Sequence, residues 1–135
     1  MQRFTIAYGC VLFMALLPLL CAYLGKRSGF GKPRRDGGYD NVDPRAWQAK
    51  QTGFTARANG AQANTFEALP FFFAAVIIAH QMNAIQARLD ILALVFVFLR
   101  VLYVVMYVAG IGGLRSMIWT LAFAVNVGIF ALGIR

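Results

Sequence analysis

Two ionisable residues, Glu67 and Arg100, interrupt long apolar stretches of this 135-residue sequence. A charge in hydrocarbon costs at least ~2.5–3.5 kcal/mol on insertion scales, so such residues usually face the protein interior and find partners. Helical periodicity puts Asn64 on the face of Glu67, and it aligns Tyr103 and Tyr107 with Arg100. A guanidinium, a carboxylate, an amide and two phenols can together bind an anion that also carries an amine.

The polar residues allow two interpretations. In the first, they form a buried network that fixes the register of the helices, with Glu67 neutral or paired to an arginine. In the second, they form an anion site in which arginines surround a negatively charged ligand, Glu67 holds a ligand amine or orients an arginine, and a tyrosine donates a hydrogen bond. The small residues Ala56, Gly60 and Ala63 accompany this face and permit close helix approach. We therefore expect the face to point at other helices, and the residues alone leave both interpretations open.

The elements that must position these side chains are helices long enough to cross a bilayer. The sequence is 60% hydrophobic and contains four apolar stretches close to the ~20 residues that a spanning helix needs. We predict an all-α integral membrane four-helix bundle, a single domain over 1–135, with a polar loop at 25–43. The predicted helices cover approximately 4–24, 44–80 with a pre-membrane part, 90–109 and 115–134. Asp43 suits an N-cap and Pro44 the first helical position.

The net charge of +8 is concentrated at the first loop. In or beside this loop lie Lys26, Arg27, Lys32, Arg34, Arg35, Arg45, Lys50 and Arg57. Arg88 marks the second loop and Arg115 the third. The positive-inside rule then predicts that the first and third loops are cytoplasmic and that both termini lie outside. Orientation and attraction to anionic headgroups explain the basic excess more simply than nucleic-acid binding does, and we predict no nucleic-acid partner.

Other site types lack the residues that they need. His80 stands without cysteine or carboxylate neighbours at metal-ligand spacing, so no metal site is predicted. Cys10 and Cys21 are three helical turns apart and cannot bond to each other within one chain. Gly110, Gly112 and Gly113 read as a tight turn, because no strand precedes them to build a nucleotide-binding loop.

The segment 57–71, RANGAQANTFEALPF, resembles the second-helix signature of the MAPEG family (membrane-associated proteins in eicosanoid and glutathione metabolism). Arg100, followed seven residues later by Tyr107 and then by Arg115 and Ser116, resembles a second block of that family. Helix number, chain length and the first loop agree with this likeness. It implies a bacterial-type member, located in the inner membrane and assembled as a homotrimer.

The resemblance also implies a function. In the family's enzymes glutathione binds between neighbouring subunits near the cytoplasmic face, and an arginine or a nearby hydroxyl stabilises its thiolate. A thiol with a pKa of ~8.5 needs positive charge nearby to ionise at neutral pH. Carried over by position, the glutathione-binding residues are Arg57, Asn64, Glu67, Arg100, Tyr103 and Tyr107, and the catalytic residues nearest the sulfur are Arg115 and Ser116.

The implied activity is that of a glutathione-dependent transferase or peroxidase acting on lipophilic electrophiles, with membrane lipids around it and the apolar substrate arriving through the bilayer. The sequence departs from the pattern at Gly60, Gln62 and Ala63, which are uncharged where glutathione-using members usually carry arginines or a histidine. These residues favour the alternative, a non-catalytic membrane protein of the same fold that binds a lipid or an anionic metabolite.

Overall fold

The computed structural model describes residues 4–134 and is built from helices. The α-helices are α1 (Ile6–Lys26), α2 (Pro44–Ala49), α3 (Gly53–Gln81), α4 (Gln86–Ala109) and α5 (Gly112–Ala131), and two single 3₁₀ turns lie at Arg27–Gly29 and Arg34–Asp36. The four long helices are each long and apolar enough to cross a membrane. The predicted all-α architecture with four spanning helices is therefore confirmed. Residues 1–3 and 135, the ends of the predicted domain, lie outside the described residues.

The helix boundaries follow local backbone chemistry. The segment predicted as helical over 44–80, with a pre-membrane part, consists of α2 and α3, which are separated by residues 50–52. Gly53, the first residue of α3, has a positive φ of 59°, which glycine adopts at little cost. Asp43 caps α2 as expected, accepting a hydrogen bond from the Ala46 N–H at 3.2 Å. α4 begins at Gln86, a turn before its predicted start, and ends at Gly110, whose φ is 80°.

α3 and α4 form the centre of the bundle, since each contacts all three other long helices. On α3, the fully buried residues Ala58, Ala61, Ala75 and Ala79 let neighbouring helices approach closely. Between α3 and α4, the rings of Phe72 and Phe96 stack with centroids 4.2 Å apart. The polar residues of these two helices are consequently brought face to face.

Side chains at both ends of the bundle tie the helices together. Where α1 begins, Asp90 Oδ1 accepts hydrogen bonds from the Ala7 N–H and from Gln86 Nε2, both at 2.8 Å. At the opposite end, Arg57 Nε donates to the Val108 carbonyl at 2.8 Å and so joins the start of α3 to the end of α4. These contacts satisfy helix-end groups that would otherwise have no partner.

The first loop folds back on itself around Tyr39. The Tyr39 N–H donates to the Gly29 carbonyl at 2.9 Å, and the Tyr39 ring meets those of Trp47 and Phe30 edge-on, at 5.2 and 5.8 Å between centroids. Trp47 is buried, and its Nε1–H donates to the Gly37 carbonyl at 3.2 Å. The loop is thus held by aromatic packing and by backbone hydrogen bonds.

Candidate functional site

Arg100 lies at the centre of the polar contact between α3 and α4. Its side chain is 1% exposed, and its Nη2 donates to Asn64 Oδ1 at 3.0 Å and to Thr65 Oγ1 at 3.3 Å. The guanidinium carbon also lies 4.3 Å from the centroid of the Tyr103 ring. The guanidinium is therefore held by two neutral acceptors and one aromatic ring.

Asn64 connects Arg100 to Glu67. Asn64 Nδ2 donates to Glu67 Oε2 at 3.3 Å, while its Oδ1 accepts from Arg100. This amide orientation is the one that the neighbours require, because arginine only donates and a carboxylate only accepts. Glu67 itself is exposed, and no arginine lies within 4 Å of it among residues 4–134. Its carboxylate is thus available to a ligand or to another subunit.

Tyr107 and Arg115 continue this arrangement towards the first turn of α5. The Tyr107 ring stands at 78° to that of Tyr103, with centroids 5.7 Å apart, and the guanidinium carbon of Arg115 lies 4.5 Å from the Tyr107 centroid. The Tyr107 hydroxyl occupies the space beside Gly60 that a side chain would fill. Two tyrosine rings therefore lie between buried Arg100 and half-buried Arg115.

The two remaining predicted site residues, Arg57 and Ser116, each donate a hydrogen bond to a backbone carbonyl. Arg57 Nε donates to the Val108 carbonyl, as described above. Ser116 is exposed, and its Oγ–H donates to the Gly112 carbonyl at 3.1 Å, one turn back along α5. Arg57 and Tyr107 line neither of the cavities described next, whereas Ser116 lines one of them.

Two adjoining cavities open between the helices. The first, of about 280 Å³, is lined by Asn64, Tyr103, Arg115, Ser116, Trp119 and Thr120. The second, of about 160 Å³, lies between α3, α4 and α5, and its walls are polar at Asn64, Glu67, Arg100 and Asn126 and apolar at Ala68, Phe71, Phe96, Trp119, Ala122 and Phe123. Asn64 and Trp119 line both, so a polar chamber adjoins one with a largely aromatic wall.

Of the residues in this region that were not among the predicted site residues, three stand out: Thr65, Trp119 and Asn126. Thr65 is fully buried, and its hydroxyl donates to the Ala61 carbonyl at 2.7 Å, which leaves its oxygen free to accept from Arg100. Asn126 is 3% exposed, and its Oδ1 has no hydrogen-bond partner among residues 4–134. The signal for Asn126 was present, since after Arg115 and Ser116 at its start it is the only strongly polar side chain within the last predicted helix. Thr65 and Trp119 carry no comparable signal.

The model of the MAPEG family matches residues 6–135, nearly the whole chain. The chain belongs to the MAPEG family. Searches of curated proteins and of solved structures return no significant match. Membership in the MAPEG family, together with the four apolar helices, makes the protein a multi-pass integral membrane protein. The sequence resemblance is thereby confirmed at the level of family and fold.

Proposed function

We propose that this MAPEG protein is a glutathione-dependent transferase or peroxidase for lipophilic electrophiles. The observation that carries the proposal is the juxtaposition of the two cavities: Arg115 lines the polar one, and four aromatic side chains line its neighbour. A hydrophilic thiol and an apolar substrate need adjoining chambers of these two kinds in order to react.

The residues present fit glutathione. Arg115 is half-buried and, within the described range, has no carboxylate within 4 Å, so its charge remains available to an anionic group. Arg100 offers a second cation, fully buried, whose Nε has no hydrogen-bond partner in the described part of the chain. Glu67, which accepts a single amide hydrogen bond, can take the ligand ammonium. Arg100 and Glu67 thus complement a carboxylate and the amine of the tripeptide, and Arg115 is left for its sulfur.

Bound glutathione would supply the nucleophilic sulfur. Arg115 favours the ionised form of that sulfur electrostatically. The Tyr107 ring holds the Arg115 guanidinium without neutralising its charge. Ser116 can donate a hydrogen bond to the sulfur only after leaving the Gly112 carbonyl, so Arg115 carries the main effect. Asn64 positions Glu67 and Arg100 relative to each other.

Assembly as a homotrimer is part of the proposal. Glu67 and its neighbours Ala63 and Phe66 are exposed on α3, within a helix apolar enough to span the membrane. A carboxylate facing lipid is costly, and a neighbouring subunit that covers it removes this cost. Closed rotational symmetry repeats such a contact and forms equivalent sites between subunits. Mass measurement of the intact complex in mild detergent tests this, and a stable monomer would contradict it.

The alternative is a non-catalytic MAPEG protein that binds a lipid or an anionic metabolite. One observation favours it: Arg57 donates to the Val108 carbonyl and lines neither cavity, so among residues 4–134 Arg115 is the one cation that lines the larger of the two. A binding protein needs the cavities and the cations but not a group that stabilises a thiolate.

Titration of glutathione into the purified protein in mild detergent separates the two functions. We expect saturable binding accompanied by the ultraviolet difference absorbance of a thiolate, and turnover when a lipophilic electrophile is added. Arg115→Gln should abolish the thiolate signal, whereas Arg88→Gln, at an exposed position in the first turn of α4, should retain it. Binding without thiolate or turnover would favour the non-catalytic alternative, and absence of binding would exclude glutathione as the ligand.

A further inference from the structure

We propose that Asn126 is a further ligand-binding residue and that, together with Glu67, it holds the ammonium group at the γ-glutamyl end of glutathione. This inference rests on the proposed function, since it concerns the same ligand. It adds to the site a residue of α5 that neither the sequence pattern nor the family resemblance assigned.

Asn126 lies on the face of α5 that lines the smaller cavity. Four residues of α5 line this cavity at the spacing i, i+3, i+4 and i+7, which is one face of a helix: Trp119, Ala122, Phe123 and Asn126. The polar side chains Glu67 of α3 and Arg100 of α4 line the same cavity. Asn126 is therefore turned towards the two charged groups of the candidate site.

The side-chain oxygen of Asn126 is buried without a hydrogen-bond donor. The residue is 3% exposed, and its Oδ1 accepts no hydrogen bond from residues 4–134. The residues one turn away on α5 on either side, Ala122 and Ile129, are apolar and offer it no side-chain donor. Buried polar atoms normally have partners, and an exception calls for an explanation. A donor that enters the cavity provides one.

Arg100 and Glu67 have unmet needs of their own. Arg100 Nη2 donates to Asn64 and Thr65, but the Arg100 Nε–H has no acceptor in the part of the chain that is described. The Glu67 carboxylate accepts one hydrogen bond, from the Asn64 amide at 3.3 Å. A ligand in this cavity must consequently bring an acceptor for the guanidinium, a cation for the carboxylate and a donor for the Asn126 oxygen.

An α-amino acid group meets all of these needs. Its ammonium has three N–H donors, enough for the Glu67 carboxylate and the Asn126 oxygen together, and its carboxylate accepts from Arg100. Glutathione carries this group at its γ-glutamyl end, whereas its glycyl end has a carboxylate without an amine. The γ-glutamyl end therefore enters the smaller cavity, and the thiol lies towards Arg115 in the adjoining one.

A water molecule or the hydroxyl of an apolar substrate suits the cavity less well. Either could bridge Arg100 Nε and Asn126 Oδ1, but it would leave the buried charge of Arg100 without an anion. An amide at position 126 also fits an ammonium better than a second carboxylate does. It accepts a hydrogen bond without placing a like charge in the same cavity as Glu67.

Two ligands that differ by one amine test the proposal. Glutathione, and an analogue in which hydrogen replaces the ammonium group, are titrated by calorimetry into the full-length protein in mild detergent. Asn126→Ala should weaken the binding of glutathione by about tenfold or more, because a hydrogen bond to a charged group is lost, and should change the binding of the analogue by less than about twofold.

Asn59→Ala is the matched control. The amide of Asn59 is also buried without a partner among the described residues, but Asn59 lines neither cavity, so both ligands should bind to this variant as they bind to the wild type. Asn126→Asp keeps an oxygen acceptor at the position and should keep the preference for glutathione over the analogue. Loss of that preference in Asn126→Asp would contradict the proposal.

The remaining outcomes are distinct. Equal weakening of both ligands by Asn126→Ala would overturn the proposal, because Asn126 would then support the cavity rather than bind the amine. Unchanged binding of both ligands would also overturn it and would leave the Asn126 oxygen to water alone. Failure of the wild type to bind glutathione would refute the proposed function itself, and this result cannot be confused with a failure at Asn126.

Discussion

Replacement of Gly60 by alanine tests the packing of the candidate site most directly. A Cβ at Gly60 would collide with the Tyr107 hydroxyl and approach Tyr107 Cζ to 2.8 Å. The ring cannot move freely, because it packs against Tyr103 and carries Arg115 on its face. Overpacking of this kind costs about 1–3 kcal/mol. The better helix propensity of alanine returns about 1 kcal/mol, so Gly60→Ala should lower the free energy of unfolding by about 0–2 kcal/mol.

Gly128 on α5 is the matched control. A Cβ there would meet Leu92 Cδ1 at 3.9 Å, an ordinary van der Waals contact, so Gly128→Ala should stabilise the protein by up to about 1 kcal/mol. The two variants should therefore differ by about 1–3 kcal/mol, the cost of overpacking at Gly60 alone. Unfolding in mixed micelles, followed by tryptophan fluorescence, measures both.

A double-mutant cycle tests whether Tyr107 is the residue with which a Cβ at Gly60 would clash. In a Tyr107→Phe background the hydroxyl is gone but the ring carbon remains close, so Gly60→Ala should cost less than in the wild type without becoming neutral. Equal effects of Gly60→Ala in the two backgrounds would refute the assignment of Gly60 to Tyr107. An effect seen only on oligomer mass, with unchanged unfolding of the subunit, would instead place Gly60 at a subunit boundary.

Three further outcomes are expected. Thr65→Val removes an acceptor from buried Arg100 and should lower the free energy of unfolding by about 1–3 kcal/mol, whereas Thr120→Val, at an exposed position, should change it by at most about 0.5 kcal/mol. Asp90→Ala removes the carboxylate of α4 that accepts from the Ala7 N–H in the first turn of α1, and its loss should cost about 0.5–2 kcal/mol, as loss of a capping side chain does. Asp36→Ala, in an exposed pair, should cost about 0–1 kcal/mol, and thermal unfolding compares the two. A reporter that is active only outside the cytoplasm should give signal when fused after residue 135 and none within the loop 25–43, and the reverse pattern would contradict the predicted topology.

The placement of Glu67 illustrates the limit of sequence reasoning. Its periodicity with Asn64 correctly indicated that the two side chains share a helix face, and they are hydrogen-bonded. Within the single chain Glu67 does not form the hypothesised buried pair with an arginine. Asn64 lies between Glu67 and Arg100 and is hydrogen-bonded to both. An amide that can both donate and accept separates two charges in a way that spacing along a helix does not reveal.

The break between α2 and α3 has a similar cause. Periodicity and apolar length predicted helix on both sides of Gly53, and helix is found on both sides. Whether the chain passes straight through a glycine or turns there depends on its φ, and glycine tolerates both signs at little cost. The packing of Trp47 onto the first loop favours the turn, and this contact spans residues that no local pattern relates.

The sequence by itself determined the four spanning helices, the family and the two polar faces, because apolar length, composition and helical period are local properties of the chain. Only the tertiary structure decided which polar group meets which. It set Thr65 and Asn64 as the acceptors of Arg100, Tyr107 as the group that fills the space at Gly60, and the Val108 carbonyl as the partner of Arg57. These pairings depend on the rotation and the axial offset of one helix against another, and both are fixed by the packing of the whole bundle rather than by any one segment.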